Sequence, residues 1–135
     1  IRPYVVKDSK FIDRPRVRVF DERVINIMKN LYRSNVEIGT GKNIKSSVYL
    51  VGGKTGTANK NENGSYIRKK VVSSFISFFP INNPKYALFV LVDEPKATGD
   101  VLGRTPGFNA VPLSKDIITE IGPILGEKTI SKVEL

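Results

Sequence analysis

Residues 53 to 58 read Gly53-Lys54-Thr55-Gly56-Thr57-Ala58, which sets one ammonium, two hydroxyls and two glycines in a strand-like stretch just before the turn formers Asn59 to Ser65. Such a set can hold an anionic peptide. Side chains alternate along a strand, so Lys54 and Gly56 share one face and Thr55 and Thr57 share the other. Glycine weakens a strand interior unless something must come close to the backbone, and two glycines flanking Lys54 predict a ligand that does so. The ligand would pair with a free strand edge. Main-chain groups would give affinity, the hydroxyls and ammonium would bind a carboxylate, and one strand amide could face a developing oxyanion.

A phosphate-binding loop competes for Gly53-Lys54-Thr55, but it needs glycine where Val48 stands and a helix directly after the threonine. The turn formers that follow offer no helix N-terminus for a phosphate. The chain has no cysteine and no histidine. That removes disulfides, thiolate metal sites, the usual metal ligand and the usual general base. No metal or cofactor is expected, and acid–base work falls to lysine, carboxylate or hydroxyl groups.

With 135 residues, 40 % of them hydrophobic and 26 % charged, the balance is that of a globular domain. Twenty-two basic against 13 acidic residues give a net charge of +9, which suits an anionic partner such as a wall polymer or lipid headgroups. The basic clusters are Arg14, Arg16 and Arg18, and Arg68, Lys69 and Lys70. They read as solvated faces. No aromatic-rich RNA-binding signature, zinc-finger spacing or helix-turn-helix pattern accompanies them, so no nucleic acid is expected. No run approaches the roughly 20 apolar residues that span a bilayer, and no signal-peptide pattern is present.

Extended pieces are predicted at Tyr4 to Lys7 and Arg16 to Phe20. Asp21 reads as an N-cap, with Phe20 and Ile25 as a hydrophobic staple and Val24, Ile27, Met28 and Leu31 as a core-facing helical stripe that stops between Ser34 and Gly39. A loop from Gly39 to Ser47 should feed a strand from Val48 to Ala58, and Asn63-Gly64 marks a reversal. Val71 to Phe79 and Tyr86 to Val92 read as an antiparallel pair inside the sheet, covered on both faces, with Phe75, Phe78, Phe79, Tyr86 and Phe89 in the core. After a flexible stretch from Lys96 to Thr105, Asn109 or Ser114 should start a helix with Leu113, Ile117, Ile121 and Leu125 on its inner side, which Pro123 kinks or shortens. The expected fold is α+β: an antiparallel sheet of three main strands packed with helices, with the Lys54 strand at its edge.

With its flanks included, Val51-Gly52-Gly53-Lys54-Thr55-Gly56-Thr57-Ala58 resembles the third signature motif of penicillin-binding proteins, the serine transpeptidases that crosslink peptidoglycan. Gly39-Thr40-Gly41 after a helix, Asp93-Glu94-Pro95 closing an apolar strand, and Gly107 to Pro112 before a final helix follow the order of the class B, division-specific members. The resemblance runs from about Arg2 to about Gly126. It implies a serine β-lactamase/transpeptidase-like fold in which Lys54 bridges to a Ser-x-Asn serine and keeps the site positive. It further implies that Thr55 bonds the substrate or β-lactam carboxylate and that Gly56 leaves room for the ligand. The Thr57 amide would be an oxyanion donor, and its carbonyl would accept from the acyl-amide. Gly39, Thr40 and Gly41 are expected only to shape a loop, and Asp93 and Glu94 to form a structural turn.

Neither Ser-x-x-Lys nor Ser-x-Asn occurs in the chain, and its first residue is Ile1. The expectation is therefore that residues 1–135 are the C-terminal portion of a transpeptidase domain, without the nucleophile-bearing part and the helical subdomain, and inactive alone. The implied partners are peptidoglycan stem peptides, β-lactam antibiotics and division-machinery membrane proteins, and the isolated piece is expected to self-associate through uncovered apolar surface. The implied location is the bacterial inner membrane, with the catalytic domain outside. A serine β-lactamase is the alternative within enzymes, and a basic module for wall polymer or nucleic acid the alternative outside them.

Overall fold

Three antiparallel strands, β1 (Gly52–Glu62), β2 (Ser65–Phe79) and β3 (Tyr86–Asp93), lie in the order β1-β2-β3 in the computed structural model, which describes residues 17–45, 49–96 and 104–125. The expected piece at Tyr4 to Lys7, Arg14, Arg16 and most of the stretch between Lys96 and Thr105 lie outside those residues. The β1–β2 hairpin closes as the sequence predicts. Asn63 (φ 51°) and Gly64 (φ 82°) are both left-handed and Glu62 pairs with Ser65, which is the two-residue turn whose twist matches the strands. The register sets Lys54 opposite Ile76 and Gly56 opposite Ser74, and it slips between Asn59 and Lys60. Among the described residues β1 is one edge of the sheet and β3 is the other, rather than an inside strand.

One face of β2 makes the core. Val71, Ser73, Phe75, Ser77 and Phe79 are buried, alternating with half-covered neighbours. Phe75 and Phe79 share one cluster with Val36, Ile44, Tyr49, Val51, Val90 and residues of the helix α2 (Ala110–Ile121). The opposite face lacks such a cover among the described residues, so Phe89 is 59 % and Leu91 53 % exposed. Expected burial on both faces fails there, and Phe89 is not a core residue.

Helix α1 spans Glu22–Glu37, and the Asp21 side chain accepts from the Val24 amide at 2.8 Å, as its N-cap role predicts. Its stripe, however, is not core. Val36 is its buried residue, whereas Val24, Ile25, Ile27, Met28 and Leu31 are exposed. Val24, Ile25 and Met28 line a groove of about 450 Å³ with Phe20, Tyr32, Phe78, Ile81 and Pro84. Helical periodicity identifies an apolar side but not what covers it. Residues 17–20 are likewise exposed and form no strand.

Asn109 fixes α2. Its Oδ1 accepts from the Ala110 amide and the Ser73 hydroxyl, and its Nδ2 donates to the Thr105 carbonyl at 2.9 Å. This anchor turns Ala110, Val111, Ser114 and Ile118 inward, while Ile117, Ile121 and Leu125 pack at the margin and Leu113 is exposed. Ala110 and Ser114 are fully buried and Leu113 is not, so the buried face is rotated from the predicted one. The helix ends at Ile121, before Pro123.

Candidate functional site

β1 starts at Gly52, with Tyr49 to Val51 outside it and the expected start, Val48, outside the described residues, and its first half carries the candidate site. Three carbonyls of this segment are met by side chains that do not come from β2. Arg33 Nη1 donates to the Val51 carbonyl at 3.1 Å, Asn35 Nδ2 to the Gly53 carbonyl at 2.8 Å, and Lys54 Nζ to the Thr55 carbonyl at 2.7 Å. Main-chain groups of successive strand residues point to opposite edges, so those of 51, 53, 55 and 57 face away from β2. Helix α1 thus closes the outer edge up to Gly53. From Thr55 onward only the flexible Lys54 amine covers it among the described residues.

The two threonines differ. Thr55 is half-buried, its Oγ1 2.6 Å from Thr40 Oγ1, and Thr57 is exposed. Thr40 Oγ1 also donates to Asn35 Oδ1 at 3.2 Å, and the Asn35 carbonyl accepts from the Gly39 and Gly41 amides at 3.1 and 3.2 Å. One asparagine near the end of α1 therefore organises the loop and ties it to β1. The Gly39-Thr40-Gly41 segment does more than shape a loop, since it brings a third hydroxyl to the site. A threonine set between two glycines directly after a helix was the available signal. Asn43 Nδ2 donates to the Gly107 carbonyl at 2.6 Å, which joins the loop before α2 to the same corner.

The glycines divide as well. A Cβ on Gly53 would stand 2.4 Å from Phe75 Cζ and 2.6 Å from the Ile76 carbonyl oxygen, so that glycine exists for packing and not for a ligand. A Cβ on Gly56 would meet only the Ser74 hydroxyl among the described residues, at 2.7 Å. Gly56 alone fits the predicted space beside the strand.

Lys54 makes no ion pair among the described residues, unlike Lys60 and Lys70 of the same hairpin. Lys60 Nζ lies 2.8 Å from both Asp93 Oδ1 and Glu94 Oε1. Those carboxylates, Asp93 first, push Lys60 up to about 12, and Glu62 raises Lys70 in the same way. Asp93 and Glu94 are thereby engaged in closing the sheet, with Glu94 in a left-handed turn (φ 48°). No metal-ligand cluster and no helix long and apolar enough to cross a membrane occur among the described residues. Chemically, the edge can receive an extended chain that ends in a carboxylate. The buried Ser73, Ser77 and Ser114 hydroxyls are all bonded within the protein and face no such ligand.

The penicillin binding protein transpeptidase domain, as a family model, matches residues 2–119. The stage V sporulation protein D of Bacillus subtilis (strain 168) is 36 % identical over 111 residues, which is 82 % of this chain and 17 % of that protein. The probable peptidoglycan D,D-transpeptidase FtsI of Caulobacter vibrioides is 36 % identical over 139 residues, covering 95 % of this chain and 24 % of its own length. Among solved structures, the apo transpeptidase domain of Burkholderia pseudomallei penicillin-binding protein 3 superposes with a TM-score of 0.58 at 34 % identity, covering 71 % of this chain and 28 % of that one. Penicillin binding protein 3 from Mycobacterium tuberculosis, complexed with ampicillin, gives the same TM-score of 0.58 at 20 % identity over 83 % of this chain and 25 % of that one, a likeness of fold. The chain spans less than a quarter of the length of these two curated relatives.

Proposed function

The chain belongs to the penicillin-binding protein transpeptidase domain family, and from that premise we propose that it is the C-terminal, substrate-clamping part of a peptidoglycan D,D-transpeptidase. The observation that carries the reading is the outer edge of β1. It is closed by α1 as far as Gly53 and opens at Thr55 and Thr57, beside an ammonium that has no carboxylate partner among the described residues.

In this reading a stem peptide, or the β-lactam that mimics it, lies along β1 as an added strand. Thr55 Oγ1 donates to the ligand carboxylate. Gly56 presents no side chain to it. The Thr57 amide points outward and serves as one oxyanion donor, while its carbonyl accepts from the acyl-amide. Lys54 swings from the Thr55 carbonyl to a serine of the upstream part and keeps the local field positive. The nucleophile and its base come from upstream as well, because the chain has no Ser-x-x-Lys. Acylation splits transfer into two steps, and the clamp stabilises the anion formed in each.

The wider setting follows the same premise. The parent is anchored in the inner membrane with this domain outside and works with membrane proteins of the division machinery. The short chain is inactive, and its exposed α1 groove and the Phe89 and Leu91 face drive self-association. The test joins the chain to its upstream part and measures covalent labelling by a fluorescent penicillin. The long form labels, Lys54→Ala labels at least about tenfold more slowly, and the 135-residue chain does not label. Labelling of the short chain, or an unaffected Lys54→Ala, overturns the assignment. Rapid release of hydrolysed penicillin would instead identify a serine β-lactamase.

A further inference from the structure

The side chain of Asn35 is oriented by what it meets. Its NH2 group faces the Gly53 carbonyl at 2.8 Å, which can only accept, so its Oδ1 faces the Thr40 hydroxyl at 3.2 Å. Thr40 has one proton and two acceptors within reach, Asn35 Oδ1 and Thr55 Oγ1, the latter at 2.6 Å. The two choices have opposite consequences at Thr55. If Thr40 donates to Asn35, Thr55 donates to Thr40 and turns only lone pairs outward. If Thr40 donates to Thr55, the Thr55 proton is free for an anion.

A carboxylate can only accept, so its arrival requires the second order. The distances suit such a reversal. At 3.2 Å the Thr40–Asn35 bond exceeds the ordinary O–H···O range, which ends near 3.0 Å, and Thr40 is exposed, so water can replace the bond. The 2.6 Å contact between the hydroxyls exists in both orders. A neutral amide at position 35 keeps the two orders close in energy, whereas an anionic acceptor would hold the Thr40 proton by a stronger, charge-assisted bond.

We propose that Asn35 is a positioning residue for the carboxylate subsite: through Thr40 it sets the direction in which the Thr55 hydroxyl donates. The inference rests on the assignment of Thr55 as a carboxylate ligand. Asn35 itself touches no substrate.

The test uses the complete transpeptidase domain and compares acylation rates for benzylpenicillin and for its methyl ester, which has no carboxylate. Thr55→Val should lower the acid-to-ester rate ratio by about tenfold or more, and Asn35→Asp by about tenfold, since each removes or redirects one charge-assisted hydrogen bond. In a Thr40→Val background, Asn35→Asp should leave the ratio within about twofold of Thr40→Val alone, because the hydroxyl that carries the effect is gone. If Asn35→Asp slows acid and ester alike, or lowers the ratio as much without the Thr40 hydroxyl, Asn35 is structural or acts by bare charge and the proposal is overturned. Should the aspartate variant not fold, Asn35→Ala provides a second arm. Deleting the competing acceptor should raise the ratio, and an unchanged or lower ratio would equally overturn the proposal. Equal losses for acid and ester in Thr55→Val would instead defeat the carboxylate assignment beneath it.

Discussion

Gly53→Ala and Gly56→Ala form a matched pair, because the two glycines share a strand and a motif but not a surrounding. At Gly53 the new methyl would sit 2.4 Å from Phe75 Cζ, 2.6 Å from the Ile76 carbonyl oxygen and 2.9 Å from Phe75 Cε2. Phe75 is fully buried, and Ile76 belongs to the paired strand β2, so neither can retreat without disturbing the core or the ladder. Overpacking of this kind costs about 1–3 kcal/mol, against a gain of about 0.4–1 kcal/mol from the stiffer unfolded chain. At Gly56 the only close atom among the described residues is Ser74 Oγ, at 2.7 Å, and a serine side chain can rotate away. There the unfolded-state gain dominates. With about 3 to 4 °C of melting temperature per kcal/mol for a chain of this size, Gly53→Ala should melt several degrees lower and Gly56→Ala within about 2 °C of the parent or above it. Penicillin acylation should show the reverse order for Gly56→Ala, which loses activity without losing stability, since its methyl would stand where the ligand lies. Thermal and urea unfolding measure the first claim. Equal melting temperatures for the two variants, or a Gly56→Ala that unfolds first, would refute the argument from packing.

Lys60 is held up to about 12 by Asp93 and then Glu94. A folded value raised above the ordinary 10.5 means that the contribution is complete below about pH 10.5 and fades as pH rises through 12. Melting temperature should therefore fall less steeply between about pH 10 and pH 12 in Lys60→Met than in the parent. Gly64→Ala forces a side chain to φ +82° and should cost about 1–2 kcal/mol in urea unfolding; no loss would mean that the hairpin closes differently. Asn109→Ala removes the cap of α2 and the acceptor of the buried Ser73 hydroxyl, for about 2 kcal/mol or more. Asn109→Asp, which retains the acceptor oxygens, should recover part of that loss.

Several features were legible because local chemistry alone determines them. The Asp21 cap, the Asn63-Gly64 reversal, the end of α2 before Pro123 and the edge position of β1 each follow from backbone preference or alternation in a few neighbouring residues. The errors of burial in α1 and β3 share one cause. Periodicity marks an apolar side of α1 and an apolar run marks β3, yet whether either is buried depends on what packs against it, and the described residues leave Leu31, Phe89 and Leu91 more than half exposed. The α2 face was misjudged because large residues were weighed as core, whereas the small Ala110 and Ser114 are among its fully buried positions. At the site, Lys54, Thr55 and Gly56 were readable as a motif. Thr40 was readable only as part of a loop-shaping Gly39-Thr40-Gly41 and Asn35 not at all, since their contribution arises from a fold-back that joins positions 35, 40 and 55 through side chains. Gly53 was read as a place for a ligand when Phe75 already occupies it.

The claim on which the account rests is that the outer edge of β1 at Thr57 is empty in the resting protein and filled by the ligand's main chain. Amide hydrogen exchange in the complete domain, before and after acylation by penicillin, tests it at single residues. The account predicts that the Thr57 amide slows on acylation while those of Lys54 and Gly56, which point toward β2, keep their rates. An unchanged Thr57 amide in a fully acylated protein would contradict it.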